Sequence, residues 1–431
     1  MALFKKEKKK KVCVIGLDGV PHSLLLDLSR KGIMPFVSTL LERGHLHKMK
    51  ASLPEISAVS WTNFMTGSNP ATHGIFGFTD LKKGSYELRF PNFLDLKKTT
   101  FWDELGQKKK KCIIINQPST YPARKINGKL ISGFVAIELA KAVYPLSLKF
   151  HLEKMGYQID VDTFKARNDH NLLWSELTAT LQSRLQAFSW LWPEDWDYFE
   201  LVITGTDRLQ HFLWNAYEDS NHPFHQKFLD YYHRIDQVIK KVVTSFRKFS
   251  PEDKGLYLLS DHGFTAINQE VYLNAWLEKE GYLKFKTDSP QNLNEIHQES
   301  QAFVLDPNRL YLNLKHKFPL GRVEEAEKEA LKSEIRDKLE KLEYKGQKVI
   351  RKVLDTQDIY SGPYLAHGPD LIILSKYGFD IKGSIKKKDI FSRSNLQGMH
   401  TWDDAFFWAD KKMAEDISIS DLASIIMDNF S

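Results

Sequence analysis

The chain has 431 residues, of which 42% are hydrophobic and 27% are charged, a balance typical of a globular protein. Its length predicts one large domain with insertions or two domains, and its formal net charge of +6 is too modest to predict a nucleic-acid partner. No apolar stretch approaches the roughly 18 residues of a membrane-spanning helix. The two cysteines, Cys13 and Cys112, lie in apolar runs, so we expect buried thiols and a cytoplasmic protein.

The chain opens with lysines and then alternates strands with helices. Residues 11–17 form a nearly continuous apolar run, which predicts a strand buried on both faces of a parallel sheet. Helices are predicted at residues 23–31, 35–43, 58–65, 172–190, 223–246 and 323–342. Further strands are predicted at residues 111–115, 198–204, 256–259, 370–374 and 405–409. This alternation predicts an α/β architecture rather than a helix bundle.

Two segments interrupt the regular alternation. Residues 82–171 lack clear periodicity over most of their length, and we predict that they form a lid over the sheet. Residues 282–368 combine charged helices with a few strands and are predicted to form a second accessory region.

Acidic side chains and a histidine follow three predicted strands directly. Asp18 comes after the first strand, Asp207 after the strand at 198–204, and Asp261 with His262 after the strand at 256–259. Because ligands gather at the carboxyl ends of parallel strands, we expect these side chains to share one site. Each also fits a structural role, as a turn residue, a helix cap or a core histidine.

Two more histidines extend this set. His211 lies four residues after Asp207, a spacing that puts both side chains on one face of a helix, and His400 follows Gly398. Oxygen and nitrogen ligands together suit Zn²⁺ or Mn²⁺ better than Ca²⁺ or Mg²⁺. The six candidate metal ligands are Asp18, Asp207, His211, Asp261, His262 and His400.

A serine stands where a nucleophile would be useful. Ser57 precedes the helix predicted at residues 58–65, and a helix N-terminus favours a bound phosphate. Ser57 and Ser60 both also fit the role of a capping serine. A metal ion beside Ser57 would make its hydroxyl a competent nucleophile.

The order of these motifs resembles the alkaline phosphatase superfamily, in particular its type I phosphodiesterase/nucleotide pyrophosphatase family and the predicted phosphohydrolase/phosphomutase proteins of that group. The central block reads Pro-Glu-Ile-Ser-Ala-Val-Ser-Trp-Thr-Asn-Phe-Met-Thr-Gly at residues 54–67, followed by Pro70 and by His73-Gly74-Ile75. With Asp18 before it and His400 late in the chain, the resemblance covers nearly the whole sequence. One departure is Phe76-Gly77-Phe78, where eukaryotic-type members carry an Asn that contacts the phosphoryl group.

The resemblance implies a three-layer α/β/α sandwich with a mostly parallel central sheet. Residues 11–431 would form the catalytic domain, with insertions around 82–171 and 282–368, after a basic tail at 1–10. It further implies two divalent metal ions, Zn²⁺ or Mn²⁺, with Ser57 as the nucleophile beside one of them. One ion would be held by Asp207, His211 and His400, and the other by Asp18, Asp261 and His262.

The implied activity is metal-dependent hydrolysis of a phosphodiester, pyrophosphate or phosphate monoester through a phosphoserine intermediate. The partner would be a small phosphorylated substrate, with a nucleotide among the candidates, and the oligomeric state stays open. A phosphomutase using the same serine and a non-catalytic metal-binding module are the alternatives. Arg208, His73, Lys82 and Lys83 are candidates for substrate contact, although each also fits a surface or packing role.

Overall fold

The structure is a computed structural model that describes residues 10–167 and 169–431. The predicted basic tail at 1–10 therefore lies outside the described residues except for Lys10. The strands are β1 (Val12–Leu17), β2 (His45–Met49), β3 (Asp80–Leu81), β4 (Leu88–Arg89), β5 (Cys112–Gln117), β6 (Gly128–Ser132), β7 (Val143–Tyr144), β8 (Tyr198–Ile203), β9 (Leu256–Leu259), β10 (Gly263–Ala266), β11 (Gln269–Tyr272), β12 (Ala302–Leu305), β13 (Arg309–Leu312), β14 (Glu343–Tyr344), β15 (Gln347–Lys348), β16 (Ile350–Asp355), β17 (Leu371–Ser375), β18 (Phe379–Lys382), β19 (Phe391–Ser392), β20 (Gly398–Thr401) and β21 (Ala405–Ala409).

Helices connect most of these strands. They are α1 (His22–Arg30), α2 (Pro35–Arg43), α3 (Ser57–Thr66), α4 (Pro70–His73), α5 (Phe101–Gln107), α6 (Leu148–Lys154), α7 (Thr163–Ala166), α8 (His170–Leu191), α9 (Gly205–Glu218), α10 (His225–Phe246), α11 (Leu273–Lys279), α12 (Lys328–Leu339), α13 (Thr356–Ile359) and α14 (Leu422–Met427). The helices predicted at 35–43, 172–190 and 223–246 are confirmed to within a few residues as α2, α8 and α10. The helix predicted at 323–342 is shorter, because a 3₁₀ turn at Glu325–Glu327 precedes α12.

The central sheet has eight strands in the order β2-β21-β9-β1-β8-β5-β6-β7. Its middle is parallel, since β1 pairs in parallel with both β8 and β9, and β5 pairs in parallel with β8 and β6. Antiparallel pairs stand at both ends, where β21 joins β2 and β9, and β7 joins β6. The carboxyl ends of β9, β1 and β8 therefore lie side by side.

The sheet is covered by helices on both faces. In β1, successive side chains point to opposite faces, so Cys13 and Ile15 pack into one apolar cluster with α1, α8 and α10. Val12 and Val14 pack into the other cluster, with Trp61 of α3 and with residues of α5 and α14. This arrangement is the predicted three-layer α/β/α sandwich.

Part of the segment at 82–171 belongs to the sheet itself. Strands β6 and β7 extend the edge of the sheet beyond β5, in a segment whose lack of clear periodicity led us to predict a lid. The strand β6 reads Gly-Lys-Leu-Ile-Ser, which is too short and too polar to show a period, and its pairing with β5 is a tertiary contact. A lid role for the rest of the segment stays a prediction.

The segment at 282–368 contributes to a second, smaller sheet. Its strands run in the order β12-β13-β17-β16, and α11 and α12 pack on it with a separate apolar core. The strand predicted at 370–374 is confirmed as β17 and belongs to this sheet rather than to the central one. The accessory role of residues 282–368 stays a prediction.

Both cysteines are free and buried in the central sheet, as the sequence predicts. Burial raises the pKa of the Cys13 and Cys112 thiols, so neither is a reactive thiolate. Among the helices of the described residues, none has the length and apolar character needed to span a membrane.

Candidate metal centre and active site

Three aspartates converge at the carboxyl edge of the central sheet. Asp18 follows β1, Asp207 lies in the first turn of α9 after β8, and Asp261 follows β9. Because these three strands are neighbours in the order β9-β1-β8, their carboxylates meet above the sheet. All three side chains are buried.

Two histidines approach Asp207 from different elements. His211 lies one turn further along α9, and its Nε2 is 3.4 Å from Asp207 Oδ1. His400 is in β20, which pairs with β10 directly after the third aspartate, and its Nε2 is 3.2 Å from the same oxygen. The two Nε2 atoms are 3.0 Å apart.

A second group of ligand atoms surrounds His262. Its Nε2 lies 3.4 Å from Asp261 Oδ2 and 3.7 Å from Asp18 Oδ1. The backbone N–H of Gly19 donates to Asp261 Oδ1 at 2.9 Å and so orients that carboxylate. The Nε2 of His262 is also 3.9 Å from Asp207 Oδ1, so this imidazole borders both groups.

Backbone carbonyls orient all three imidazoles. Since a carbonyl oxygen only accepts a hydrogen bond, each Nδ1 carries a proton and each Nε2 faces inward as the free ligand nitrogen. Burial lowers the pKa of His262 and of His400, which keeps these rings in the neutral form that binds metals. The bonds run from His211 to Gly398 (2.9 Å), from His400 to Glu55 (2.8 Å) and from His262 to Gly263 (3.0 Å).

The donor set fits divalent cations. The ligand atoms form two sets, and within each set all atoms lie within 4.8 Å of one another. One set comes from Asp207, His262 and His400, and the other from Asp18, Asp261 and His262. Asp207 Oδ1 and Asp261 Oδ2 are buried and have no hydrogen-bond partner among the described residues. Burial, reinforced by neighbouring carboxylates, raises the pKa of Asp18 well above its usual range and that of Asp261 to about 7. A cation bound between them would favour the ionised form of these carboxylates.

Ser57 lies at the edge of the second group. Its Oγ is 3.3 Å from Asp18 Oδ1 and 3.1 Å from His262 Nε2. Ser57 opens the buried helix α3, whose N-terminus favours an anion. Ser60, the second serine that fits a capping role, instead bonds to Ser52 Oγ at 2.7 Å.

Arg208 lies next to the ligands but is held by two carboxylates. It donates to Asp207 Oδ2 at 2.7 Å and to Asp160 Oδ2 at 2.8 Å. Its guanidinium also lies over the ring of Phe134, 4.1 Å from the centroid. Its predicted contact with substrate stays a prediction.

His73 makes its contacts around the turn that ends α4, and its predicted contact with substrate stays a prediction. It is fully buried at the end of α4, where its Nδ1 accepts from the Ile75 N–H at 3.1 Å. Its Nε2 lies 2.8 Å from the side-chain amide of Asn63, and burial lowers its pKa to about 3. These contacts give His73 a bracing role in the turn. Lys82 and Lys83 lie in the β3–β4 connection and line a separate cleft, away from the ligands.

Several supporting residues were missed by sequence reasoning. Trp61, one turn after Ser57, donates from its indole N–H to Asp18 Oδ2 at 3.3 Å. Gln210 donates to the Gly19 carbonyl at 2.9 Å. Gly19 itself has φ +69°, and a Cβ there would come within 3.1 Å of His262. A glycine directly after a ligand aspartate was the one available signal for so tight a turn.

Comparison with known proteins now defines the class. The sequence model of the type I phosphodiesterase / nucleotide pyrophosphatase family matches residues 12–403. The chain therefore belongs to this family and is a phosphoric ester hydrolase by class. A comparison with curated protein sequences finds no match.

Solved structures agree with the fold. Phosphonoacetate hydrolase from Sinorhizobium meliloti 1021, in complex with phosphonoformate, is 13% identical with a TM-score of 0.65, covering 98% of this chain and 96% of that one. Murine ectonucleotide pyrophosphatase / phosphodiesterase 5, also solved as an inactive form in complex with AMP, is 12% identical with a TM-score of 0.55, covering 97% and 94%. The alkaline phosphatase PafA is 13% identical with a TM-score of 0.58, covering 98% and 96%.

Proposed function

We propose that the protein hydrolyses small phosphate esters with two bound divalent metal ions and Ser57 as the nucleophile. The observation that carries this proposal is the position of Ser57 Oγ, within 3.3 Å of Asp18 and 3.1 Å of His262, two of the proposed ligands. A serine hydroxyl between an aspartate and a histidine of a metal group is well placed to attack phosphorus.

The ligand side chains divide into two sets. Asp18, Asp261 and His262 would hold the ion nearer Ser57, while Asp207, His211 and His400 would hold the other. Their mixed oxygen and nitrogen donors favour Zn²⁺ or Mn²⁺. When bound, such ions lower the pKa of a neighbouring hydroxyl and offset the negative charge on a transferring phosphoryl group.

The reaction follows from the position of Ser57. Its Oγ forms a bond to phosphorus while the bond from phosphorus to the ester oxygen breaks on the opposite side, and the hydroxyl proton of Ser57 leaves with the departing alcohol. Water then attacks the same phosphorus, the Oγ–P bond breaks, and Ser57 regains its hydroxyl proton. The N-terminus of α3 stabilises the phosphoryl oxygens during both steps, and burial of Ser57 limits competing water.

A matched substrate panel tests the proposal. The protein is stripped of metal, reloaded with Zn²⁺ or Mn²⁺, and assayed on phosphate monoesters, diesters and nucleoside triphosphates. Ser57→Ala should still bind metal and lose about 10⁴-fold or more in kcat. Ser60→Ala is the control, because Ser60 lies in the same helix as Ser57 but bonds to Ser52, and this variant should retain activity.

Three outcomes would contradict the proposal. Full activity in Ser57→Ala would show that Ser57 is not the nucleophile. Metal binding without any turnover in the wild type would identify a non-catalytic metal-binding module. Transfer of the phosphoryl group to another hydroxyl of the substrate, with no release to water, would identify a phosphomutase.

A further inference from the structure

A second feature of the site is an apolar pocket beside the nucleophile. Its volume is about 420 Å³, and its floor includes Ala58 and Thr62, which follow Ser57 on α3. A smaller cavity of about 110 Å³ is lined by Ile56, together with the ligand His400. The residues on either side of Ser57 in the sequence therefore line two different cavities, and a phosphorus atom at Ser57 would have one on each side.

The pocket is connected to the metal ligands through one aromatic side chain and Arg208. Phe134 lines the pocket, and its ring also contacts the guanidinium of Arg208, which pairs with Asp207. Phe78 packs edge-on against Phe134, with ring centroids 5.4 Å apart. A group bound in this pocket therefore lies against the side chains that border the reacting centre.

The pocket offers few free polar groups. None of the described residues that line it is charged. Thr62 Oγ1 and Ser119 Oγ both donate to the Ala58 carbonyl, at 2.6 Å and 3.4 Å, and the Asn92 side chain accepts from Leu94 N–H. Among the described lining residues, this leaves the Tyr121 hydroxyl and the Asn92 amide nitrogen as the polar side-chain atoms without such a bond. A nucleotide base or ribose would leave most of its own polar groups unpaired there, whereas an apolar group would lose nothing.

Large apolar side chains also stand exposed among the lining residues. Phe90 is 76% exposed and Ile137 is 88% exposed. Exposed apolar side chains next to a concave apolar surface mark a ligand groove, because water contact with them is unfavourable until a ligand covers them.

We propose that this pocket binds an alkyl or aryl group esterified to the phosphorus, so that the substrate is a phosphodiester with one apolar ester group. The inference rests on the proposed function, because it needs Ser57 to attack that phosphorus. The apolar group stays on phosphorus during the first step, and the other alcohol leaves. Water then releases the apolar monoester.

Chain length tests the proposal directly. In a series of p-nitrophenyl alkyl phosphates from methyl to octyl, kcat/KM should rise about fourfold per methylene until the pocket is full, as expected for about 0.8 kcal/mol per buried CH₂. Alkylphosphonates should inhibit competitively with the same fourfold steps, and no nitrophenyl ring competes for the pocket in that arm.

Exposed positions provide the variants, since they are expected to fold normally. The double change Phe90→Ser with Ile137→Ser should lower kcat/KM about tenfold more for the octyl ester than for the methyl ester. Phe164→Ser is the matched control, because Phe164 is 89% exposed but does not line the pocket, and it should change neither substrate.

The outcomes separate the two proposals. If no ester in the panel is hydrolysed by the metal-loaded protein, the proposed function fails. Turnover that does not change with chain length, or a preference for a phosphate monoester or a thymidine ester over the octyl diester, would overturn the apolar pocket while leaving the hydrolase intact.

Discussion

Replacing Trp61 by Phe tests whether α3 positions a metal ligand as well as the nucleophile. Trp61 is fully buried, and its indole N–H donates to Asp18 Oδ2 at 3.3 Å. Phenylalanine keeps the aromatic packing and removes only this donor and part of the ring. A hydrogen bond to a charged group contributes about 1.5–3 kcal/mol, so we expect metal affinity or kcat/KM to fall roughly 10- to 150-fold.

Trp102→Phe provides the matched control. Trp102 is fully buried in the same apolar cluster, but its indole nitrogen has no hydrogen-bond partner among the described residues. Both substitutions remove the same atoms and should lower the free energy of unfolding by about 1–3 kcal/mol. Only the Trp61 variant should lose metal affinity.

Metal titration by calorimetry, kcat/KM at saturating metal and thermal unfolding separate these effects. A Trp61→Phe protein with the same metal affinity and kcat/KM as Trp102→Phe would refute the reasoning, because the indole N–H would then have no role in holding Asp18.

Three further predictions follow from buried groups. Gly19→Ala should lower metal affinity, measured by calorimetry, and stability, measured by thermal unfolding, more than Gly32→Ala does. Both glycines have positive φ, but only a Cβ at Gly19 would crowd His262. Equal losses in the two variants would contradict this. Chelation should lower Tm, since each site held at 100 times its Kd stabilises the fold by about 2.7 kcal/mol, and an unchanged Tm would argue against tight sites. Burial raises the pKa of Glu200 to about 8, so the stability that this carboxyl contributes is complete below about pH 4 and is lost as pH rises through about 8. Glu200→Gln should therefore lose less Tm than the wild type between about pH 6 and about pH 9, and identical Tm profiles would refute the assignment.

Sequence reasoning succeeded where one local pattern determines the structure. The continuous apolar runs of β1, β8 and β9 predict buried parallel strands, and polar residues directly after such strands must appear at one edge of the sheet. This is why Asp18 and Asp207 could be assigned to one cluster before any contact was known.

Features that depend on tertiary contacts could not be predicted from the sequence. Trp61 lies four residues after Ser57, which predicts a shared helix face but not that the face meets Asp18. The ion pair of Arg208 could not be predicted either, because its partner Asp160 lies 48 residues earlier in a segment without clear periodicity. The apolar pocket was likewise hidden, since Phe78 and Phe134 come from separate loops and meet only in the folded chain.

Trapping the covalent intermediate tests most directly whether Ser57 is the nucleophile. The metal-loaded protein is mixed with a rapidly hydrolysed ester, quenched in acid during turnover, digested and analysed by mass spectrometry. We expect a peptide with the phosphoryl or alkylphosphoryl group on Ser57, absent from Ser57→Ala and present in Ser60→Ala. Turnover without any phosphorylated or alkylphosphorylated Ser57, or with the group on another side chain, would contradict it.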